Sequence, residues 1–289
     1  MERNGFLGMI AIAMALLWAN GPTASSSATD GPSQLPSSTN AATQKNGDKF
    51  EFRSLTNNAF EVGERLTFDI DYGFITAGQA VMEIPGYRYI DGRPTMETRI
   101  EARSSSTFDW VFKVRDRYET YLDYTGLFPW RFEQHVREGT YSKDYDANFN
   151  PEAQTATTSD GHVYSTPQYV HDIVSAFYYI RTLDLTHAHR GDVVHLENFY
   201  DGQTHPLDVR ILGHQQVKTA VGTFECSVIE PMVVKGGLFK NEGSILIWLT
   251  DDNNHMPVKM ASKILIGSIE ARLVKYEGVR SPLTSRVGN

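Results

Sequence analysis

Alternation of apolar and polar side chains is the feature that most narrows what this chain can fold into. Near the start of the folded part, Leu66, Phe68 and Ile70 alternate with threonine and aspartate residues. Because successive side chains of a strand point to opposite faces, this period of two predicts a half-buried β-strand. The pattern resumes after a turn that Gly73 and Gly78 bracket, which predicts a hairpin.

The same alternation recurs along most of the chain. It is found in residues 95–102, 116–123, 130–136, 143–149, 153–158, 193–200, 207–213, 222–231, 242–250, 257–265 and 268–276. Turn sequences such as Asp91-Gly92 and Asn150-Pro151 separate the early segments. Many short strands joined by short turns predict a mostly β protein built as an antiparallel meander.

One segment, residues 170–181, has the spacing of a helix instead. Its apolar residues, three and four apart, are Val170, Ile173, Val174, Phe177 and Ile180. Asp172 stands where acidic residues favour the start of a helix. We therefore expect one packed helix that lays this apolar face, Phe177 included, on the sheet, with Arg181 on its polar side.

The N-terminus has the order of a secretory signal peptide. Arg3 precedes an unbroken apolar stretch, residues 6–19, and small polar residues follow it. A helix that spans a membrane needs about 20 apolar residues, so this stretch is better suited to a leader. We expect residues 1–28 to be a cleaved signal peptide.

Composition limits both the domain organisation and the partners. Residues 29–49 are almost entirely polar and predict a disordered linker, followed by a single β-rich domain over 50–280 and a C-terminal tail at 281–289. The net charge of −8 gives no general attraction to nucleic acid. Cys226 is the only cysteine, so neither an internal disulfide nor a lipid anchor near the leader is expected. The mature protein should be free in the periplasm or secreted, without stable membrane insertion after leader cleavage.

Five short blocks occur in a specific order. They are residues 60–68, 172–179, 222–226, 248–252 and 257–258. Together they resemble the uncharacterised bacterial family labelled domain of unknown function 3108, and the resemblance covers roughly residues 60–276. It implies an exported protein whose fold is similar to periplasmic lipoprotein carriers and related lipid-binding half-barrels. The fold expected on this ground is a curved antiparallel sheet or open half-barrel with one packed helix. The family implies no catalytic residues.

Catalytic and metal-binding signatures are weak in this sequence. Neither a Gly-x-Ser-x-Gly elbow nor a nucleotide-binding glycine loop occurs. His187, His189, His195 and His205 offer imidazole ligands, but the run 186–192 reads as a polar connection, where histidines usually face water. Cys226 lies in an alternating strand, where a buried, inert thiol is expected. We expect no catalytic residue, no metal and no cofactor.

Two further segments allow two interpretations each. The acidic run 250–254 has oxygen donors of the kind that calcium uses, but its residues also suit a hairpin turn, which we expect here. The glycine-rich segment 234–240 could form a mobile gate or a membrane-touching loop, but a plain connecting loop is what we expect here.

Aromatic residues occur more densely than a sheet with one face in water requires. Those that could line a ligand pocket are Trp110, Phe112, Tyr118, Tyr121, Trp130 and, from the helix, Phe177. They form either ordinary core or the wall of a concave pocket for an apolar ligand.

Three functions remain open at this point. The first is a non-catalytic carrier of a lipid-like or glycan-like envelope ligand, with an apolar or amphiphilic small molecule or an envelope protein as partner. The second is a hydrolase of envelope polymer that uses carboxylates inside the concavity. Its candidate acids are Asp69, Asp71, Glu97 and Glu101. The third is an assembly factor that pairs with another protein through an exposed sheet edge.

Overall fold

The computed structural model describes residues 50–232, 245–263 and 268–288, which form fifteen strands and one helix. In chain order these are β1 (Arg65–Tyr72), β2 (Ile75–Ile90), β3 (Arg93–Ser104), β4 (Arg115–Asp123), β5 (Pro129–Glu138), β6 (Tyr141–Asn150), β7 (Thr155–Thr158), β8 (Val163–Ser165), α1 (Ile173–Ile180), β9 (Val193–Tyr200), β10 (Gln203–Thr219), β11 (Gly222–Met232), β12 (Ile245–Thr250), β13 (Pro257–Lys263), β14 (Ser268–Glu277) and β15 (Arg286–Val287). The expected leader, the polar linker and the segment 234–240 lie outside the described residues.

The strands form one antiparallel sheet. Its order is β8-β7-β6-β5-β4-β3-β2-β1-β14-β13-β12-β11-β10-β9, and β15 adds to β11. β1 lies inside the sheet, where Leu66 pairs with Met82 of β2 on one side and with Tyr276 of β14 on the other. The mostly β fold predicted from the alternation is thus confirmed, with hairpins for nearly every neighbouring pair.

The sheet curls until its two outer strands approach each other. No ladder joins β8 to β9 in the described part of the chain, so the sheet stays open. Side chains bridge the gap instead: the ring of Tyr164 lies 5.7 Å from that of Phe199, and Tyr145 lies 5.1 Å from Tyr200. The result is an open half-barrel with a concave inner face.

The two faces of the sheet differ sharply in polarity. Leu66, Phe68 and Ile70 are buried on the inner face. The outer face carries ion pairs that cross several strands; Arg99, for example, bonds to Glu83 and Glu119. This polar outer face leaves the concave side as the place where apolar groups gather.

The predicted turn between Gly73 and Gly78 is shorter than expected. β2 already begins at Ile75, so Gly78 lies within a strand, opposite Ser104. A Cβ on Gly78 would meet the carbonyl oxygen of Arg103 at 2.3 Å. This glycine therefore serves the close approach of two strands, a role that local sequence cannot distinguish from a turn.

The helix is shorter than the predicted 170–181. Asp172 is its N-cap, and one carboxylate oxygen accepts from the backbone N–H groups of Val174 (2.8 Å) and Ser175 (3.0 Å). The residues before it cannot be helical, because the N–H of His171 donates to Glu197 of β9. Tertiary pairing with β9 thus overrides the helical spacing of the sequence at this end.

Arg181 corrects the prediction that it lies on a polar helix face. Its side chain is 0% exposed and donates two hydrogen bonds of 2.7 Å to the carboxylate of Glu64, which is also 0% exposed. The guanidinium donates as well to the carbonyl oxygen of Asn254 and lies over the ring of Phe60. The helix end is thereby tied to the start of β1 and to the β12–β13 turn.

The acidic run 250–254 forms the predicted hairpin turn, and it does more than reverse the chain. Asp252 accepts from Ser285, and Asn254 exchanges hydrogen bonds with the backbone of Ser281. Residues 281–288, which the sequence assigned to a tail, therefore pack on the domain and contribute β15.

Candidate functional site

An apolar cavity lies between α1 and the concave face of the sheet. The helix contributes Ile173, Val174, Ala176, Phe177 and Ile180 to its wall. The sheet contributes Met82, Ile100, Tyr118, Leu207, Val209, Ile229, Pro231, Ile245, Ile247 and Met260. The Tyr118 hydroxyl is the one polar side-chain atom among these residues, so the cavity suits an apolar occupant.

The cavity is small as the structure stands. Its volume is about 70 Å³. Ile173 and Phe177 are only half-buried, whereas Val174, Ala176 and Ile180 are buried. Two helix side chains thus lie at the edge of the cavity.

The structure brings two of the six predicted aromatic site residues to the cavity, Tyr118 and Phe177. Tyr121 is on the outer face and donates to Glu119 (2.7 Å). The reason is its place on β4: Tyr118 and Tyr121 are three residues apart, so they point to opposite sides of the sheet. The six aromatic residues therefore do not form one wall.

The other three aromatic residues lie elsewhere. Trp110 is 85% exposed in the β3–β4 connection. Phe112 is half-buried and lies against Gly139 at the β5–β6 turn. Trp130 is buried beside Phe128, and its indole N–H donates to Asp123 (3.0 Å). Trp110 and Phe112 thus belong to the connection between β3 and β4, and Trp130 lies at the start of β5.

Sequence reasoning missed most of the cavity wall because it looked for aromatic residues. The sheet side of the wall is chiefly aliphatic, as at Ile100, Val209 and Ile247. The signal that could have found these residues is the alternation itself, which assigns them to the buried face of their strands.

A buried polar group lies on the same inner face, around the hydroxyl of Tyr118. It consists of Asp116 and Tyr118 on β4 with Gln134 and Glu138 on β5, and we call these four residues the carboxyl cluster. Tyr118 pairs directly with Gln134, and the two acids are near enough to interact. All four side chains are at least nine-tenths buried. Sequence reasoning missed this cluster because its members are brought together by strand register.

The two acids of the carboxyl cluster perturb each other. Burial raises the pKa of Asp116 above its ordinary value. Burial and the neighbouring Asp116 raise the pKa of Glu138 further. The pair therefore keeps a shared proton to a higher pH than an ordinary carboxyl does, because two adjacent carboxylates resist double ionisation.

A serine, a histidine and an aspartate also meet, at the β10–β11 hairpin and the β12–β13 turn. Ser227 donates to Asp251, and Nδ1 of His214 lies 2.9 Å from the same carboxylate, whose hydrogen bond raises the pKa of His214. The other ring nitrogen of His214 faces the carbonyl oxygen of Ala188 (3.2 Å). A catalytic triad needs serine and aspartate on opposite ring nitrogens. Here both face Nδ1, so the arrangement joins strands and activates no nucleophile.

The carboxylates proposed for a hydrolase are not inside the concavity. Asp69 and Asp71 accept hydrogen bonds from Gln79 and Thr76 on the outer face. Glu97 is bonded to Arg99 on that face too. Glu101, in step with it on β3, is exposed. Because these acids alternate with the buried residues of β1 and β3, the hypothesis of a concave acid pair built from them is wrong.

Two of the candidate histidines pair with carboxylates at the surface. His187 lies 3.0 Å from Asp184, and His195 lies 2.7 Å from Asp208. No group of three or more potential metal ligands converges among the described residues. Cys226 is buried, as predicted, and burial raises the pKa of its thiol.

Comparison with solved structures gives similar folds at low identity. A β-barrel-like protein of the domain of unknown function DUF1849 from Brucella abortus is 14% identical with a TM-score of 0.49, over 76% of this chain and 99% of that one. A protein from Parabacteroides distasonis, provisionally described as a lipoprotein, is 10% identical with a TM-score of 0.34, over 78% and 100%. A Bacteroides fragilis protein with a YmcC-like fold, provisionally described as exported, is 11% identical with a TM-score of 0.29, over 75% and 97%.

Three further findings complete the comparison. No curated protein matches the sequence. In the described part of the chain, the one helix lacks the length and hydropathy to span a bilayer. Residues 67–274 match the family described as protein of unknown function DUF3108, which covers most of the folded part. The chain therefore belongs to the DUF3108 family.

Proposed function

We propose that this protein is an exported, non-catalytic carrier that holds an apolar or amphiphilic ligand between α1 and the concave face of the sheet. The observation that supports the proposal is the cavity itself, whose wall is apolar apart from one tyrosine hydroxyl. Ligand sites are typically concave and mostly apolar, with a few polar groups that fix orientation.

A carrier must let its ligand enter, and the entry point that we propose is the edge of the cavity beside α1. α1 has only eight residues, and Ile173 and Phe177 are half-buried at the cavity. The end of the helix is fixed by the buried pair of Arg181 with Glu64. A ligand could therefore enter by displacing the two half-buried side chains while the helix stays attached.

The alternatives have less support. The hydrolase hypothesis lacks its acid pair, because the candidate carboxylates lie on the outer face. For the assembly hypothesis, the outer strand β8 has only three residues, and part of the other outer strand, β9, is covered by the backbone of His171. Neither edge offers a long row of free backbone groups to a partner.

The ligand can be tested directly. Native mass spectrometry of protein purified from its own cells without detergent should show a bound small molecule, which lipid extraction then identifies. Added ligand at a hundredfold excess over its dissociation constant should stabilise the fold by about 2.7 kcal/mol. Empty protein that also gives no thermal shift with fatty acids, fatty alcohols or phospholipids would overturn the carrier proposal.

A substitution in the cavity wall tests where the ligand binds. Ala176→Leu extends a side chain into the cavity and should weaken binding of decanol, because it fills part of the space. Ala261→Leu is the matched control, since Ala261 follows the cavity residue Met260 on β13 and points to the other face. Equal affinities for the two variants would place the ligand elsewhere.

Export is tested by the N-terminus of the protein from its native cells. Cleavage of the leader would give a mature chain that begins near Ser27 or Thr29. An intact N-terminus in the cytosol would remove the periplasmic or secreted location.

A further inference from the structure

The carboxyl cluster contains more buried polar atoms than it has partners for. Four atoms have no well-formed hydrogen bond, although each has another of the four residues beside it: one carboxylate oxygen each of Asp116 and Glu138, the amide oxygen of Gln134 and the hydroxyl of Tyr118. A buried polar atom without a partner costs roughly 1–3 kcal/mol. Four of them on two adjacent strands mark a place where hydrogen-bonding groups are missing.

The nearby cations are bound to other groups. The amine of Lys143 donates to Tyr200 (2.6 Å), and the guanidinium of Arg137 donates to both oxygens of Asp144 (2.9 Å each) on the outer face. In the described ranges, no lysine, arginine or histidine side chain forms an ion pair with Asp116 or Glu138. Arg137 acts on Asp116 only from a distance, so the cluster has no ion pair of its own in the described part of the chain.

The cluster adjoins the cavity through one residue. The ring of Tyr118 lines the apolar wall, and its hydroxyl is one of the four unpartnered groups. Tyr118 pairs with Gln134 across the sheet, and Asp116 is two residues away on the same face of β4. An apolar chain in the cavity would thus have its polar end within reach of the cluster.

We propose that the carboxyl cluster binds a protonated amine at the polar end of the ligand, an inference that rests on the proposed carrier function. The ligand class is accordingly an amphiphile with an ammonium group that bears N–H donors.

The chemistry of the cluster favours an ammonium over other polar groups. Its unpartnered atoms are three carboxyl or amide oxygens, which act as acceptors, and one hydroxyl, which can also accept. An ammonium supplies three donors and one positive charge, which matches a pair of acids that share a proton. A fatty acid would place a third carboxylate beside this pair and be repelled. A quaternary ammonium would supply the charge but no donor.

Four probes with the same ten-carbon chain test the proposal by isothermal titration calorimetry below their micelle concentrations. They are decylamine, decanol, decanoate and decyltrimethylammonium. Decylamine should bind about tenfold or more tightly than decanol, because hydrogen bonds to a charged group contribute roughly 1.5–3 kcal/mol. Decanoate should bind most weakly, and the trimethyl compound should lose most of the preference. Dihexanoyl phosphatidylethanolamine, set against its choline counterpart, shows whether the amine can come from a lipid head group.

A double variant assigns the preference to the cluster. Asp116→Asn combined with Glu138→Gln removes both ionisable groups and keeps the shape, so the advantage of decylamine over decanol should fall about tenfold or more while decanol binding persists. Glu133→Gln is the control, because it removes a carboxylate from the outer face of the same strand. Circular dichroism confirms that each variant is folded.

The outcomes separate this inference from the carrier function. If no ten-carbon probe binds, the carrier proposal itself fails. If decanol binds and decylamine binds no better, or if the double variant keeps the preference, the cavity is a ligand site and the cluster does not bind an amine.

Discussion

At the residue scale, the most consequential side chain is Arg181. A buried arginine is costly unless its charge is compensated, and here Glu64 accepts from it with both carboxylate oxygens. The ring of Tyr178 also lies 5.3 Å from the guanidinium. The sequence suggested a solvent-exposed residue, because an arginine at the end of a helix usually is one.

Replacing Arg181 should therefore destabilise the protein strongly. We expect Arg181→Met to lower the free energy of unfolding by about 3–5 kcal/mol, since the buried carboxylate of Glu64 would be left without its partner. Urea denaturation of wild type and variant measures the change. Arg210→Met is the control, because Arg210 is half-exposed and its contact with Glu230 is 3.7 Å long; it should change stability by at most about 0.5 kcal/mol. Similar losses for both variants would show that the buried pair has no special weight.

At the scale of the elements, the N-terminus of α1 couples helix stability to pH. Asp172 is fully buried, and burial raises its pKa from 3.8 to about 6. The folded state then binds the proton more tightly than the unfolded state. The stability contributed by this group is fully present below about pH 4 and is lost as the pH rises through about 6.

Asp172→Asn should remove this dependence while keeping the cap. The asparagine oxygen can still accept from the N–H groups of Val174 and Ser175, and asparagine is a good N-cap. We expect the wild type to lose about 2–3 kcal/mol more stability than the variant between about pH 4 and 7. Urea denaturation across this range, compared as wild type minus variant, cancels the other acids. Parallel curves would show that Asp172 does not titrate in this range.

The strands and the helix also show which parts of the fold can be predicted from local sequence. Alternation predicts the longer strands because it reports which residues are buried, and Asp172 marks the helix start by its side-chain chemistry. β8 and β15 are too short to show a period. The carboxyl cluster depends on the register between β4 and β5, in which Arg117 lies opposite His135. This register brings Asp116 and Glu138 together on one face. The sequence of a single strand does not determine its register with a neighbour.

At the scale of the whole molecule, the two ends of the described domain pack against distant parts of the sheet. β1 pairs with β14, so Arg65 lies opposite Glu277 although about two hundred residues separate them. Residues 281–288 then return to the β12–β13 turn, where Asp252 accepts from the hydroxyl of Ser285 (2.6 Å). Both ends of the described domain are therefore held by contacts with distant parts of the sequence.

Removing this returning segment should destabilise the whole domain. A chain that ends at Arg280 would leave a carboxylate oxygen of buried Asp252 and the amide of buried Asn254 without their present partners, and each such loss costs roughly 1–3 kcal/mol. We expect a fall of about 2–5 kcal/mol in the free energy of unfolding, measured by urea denaturation. Ser285→Ala should reproduce about 1–2 kcal/mol of it, whereas Thr284→Ala, at an exposed neighbour, should be nearly neutral. A truncated chain with an unchanged unfolding midpoint would show that the segment is a tail after all, because a part of the core cannot be removed without loss of stability.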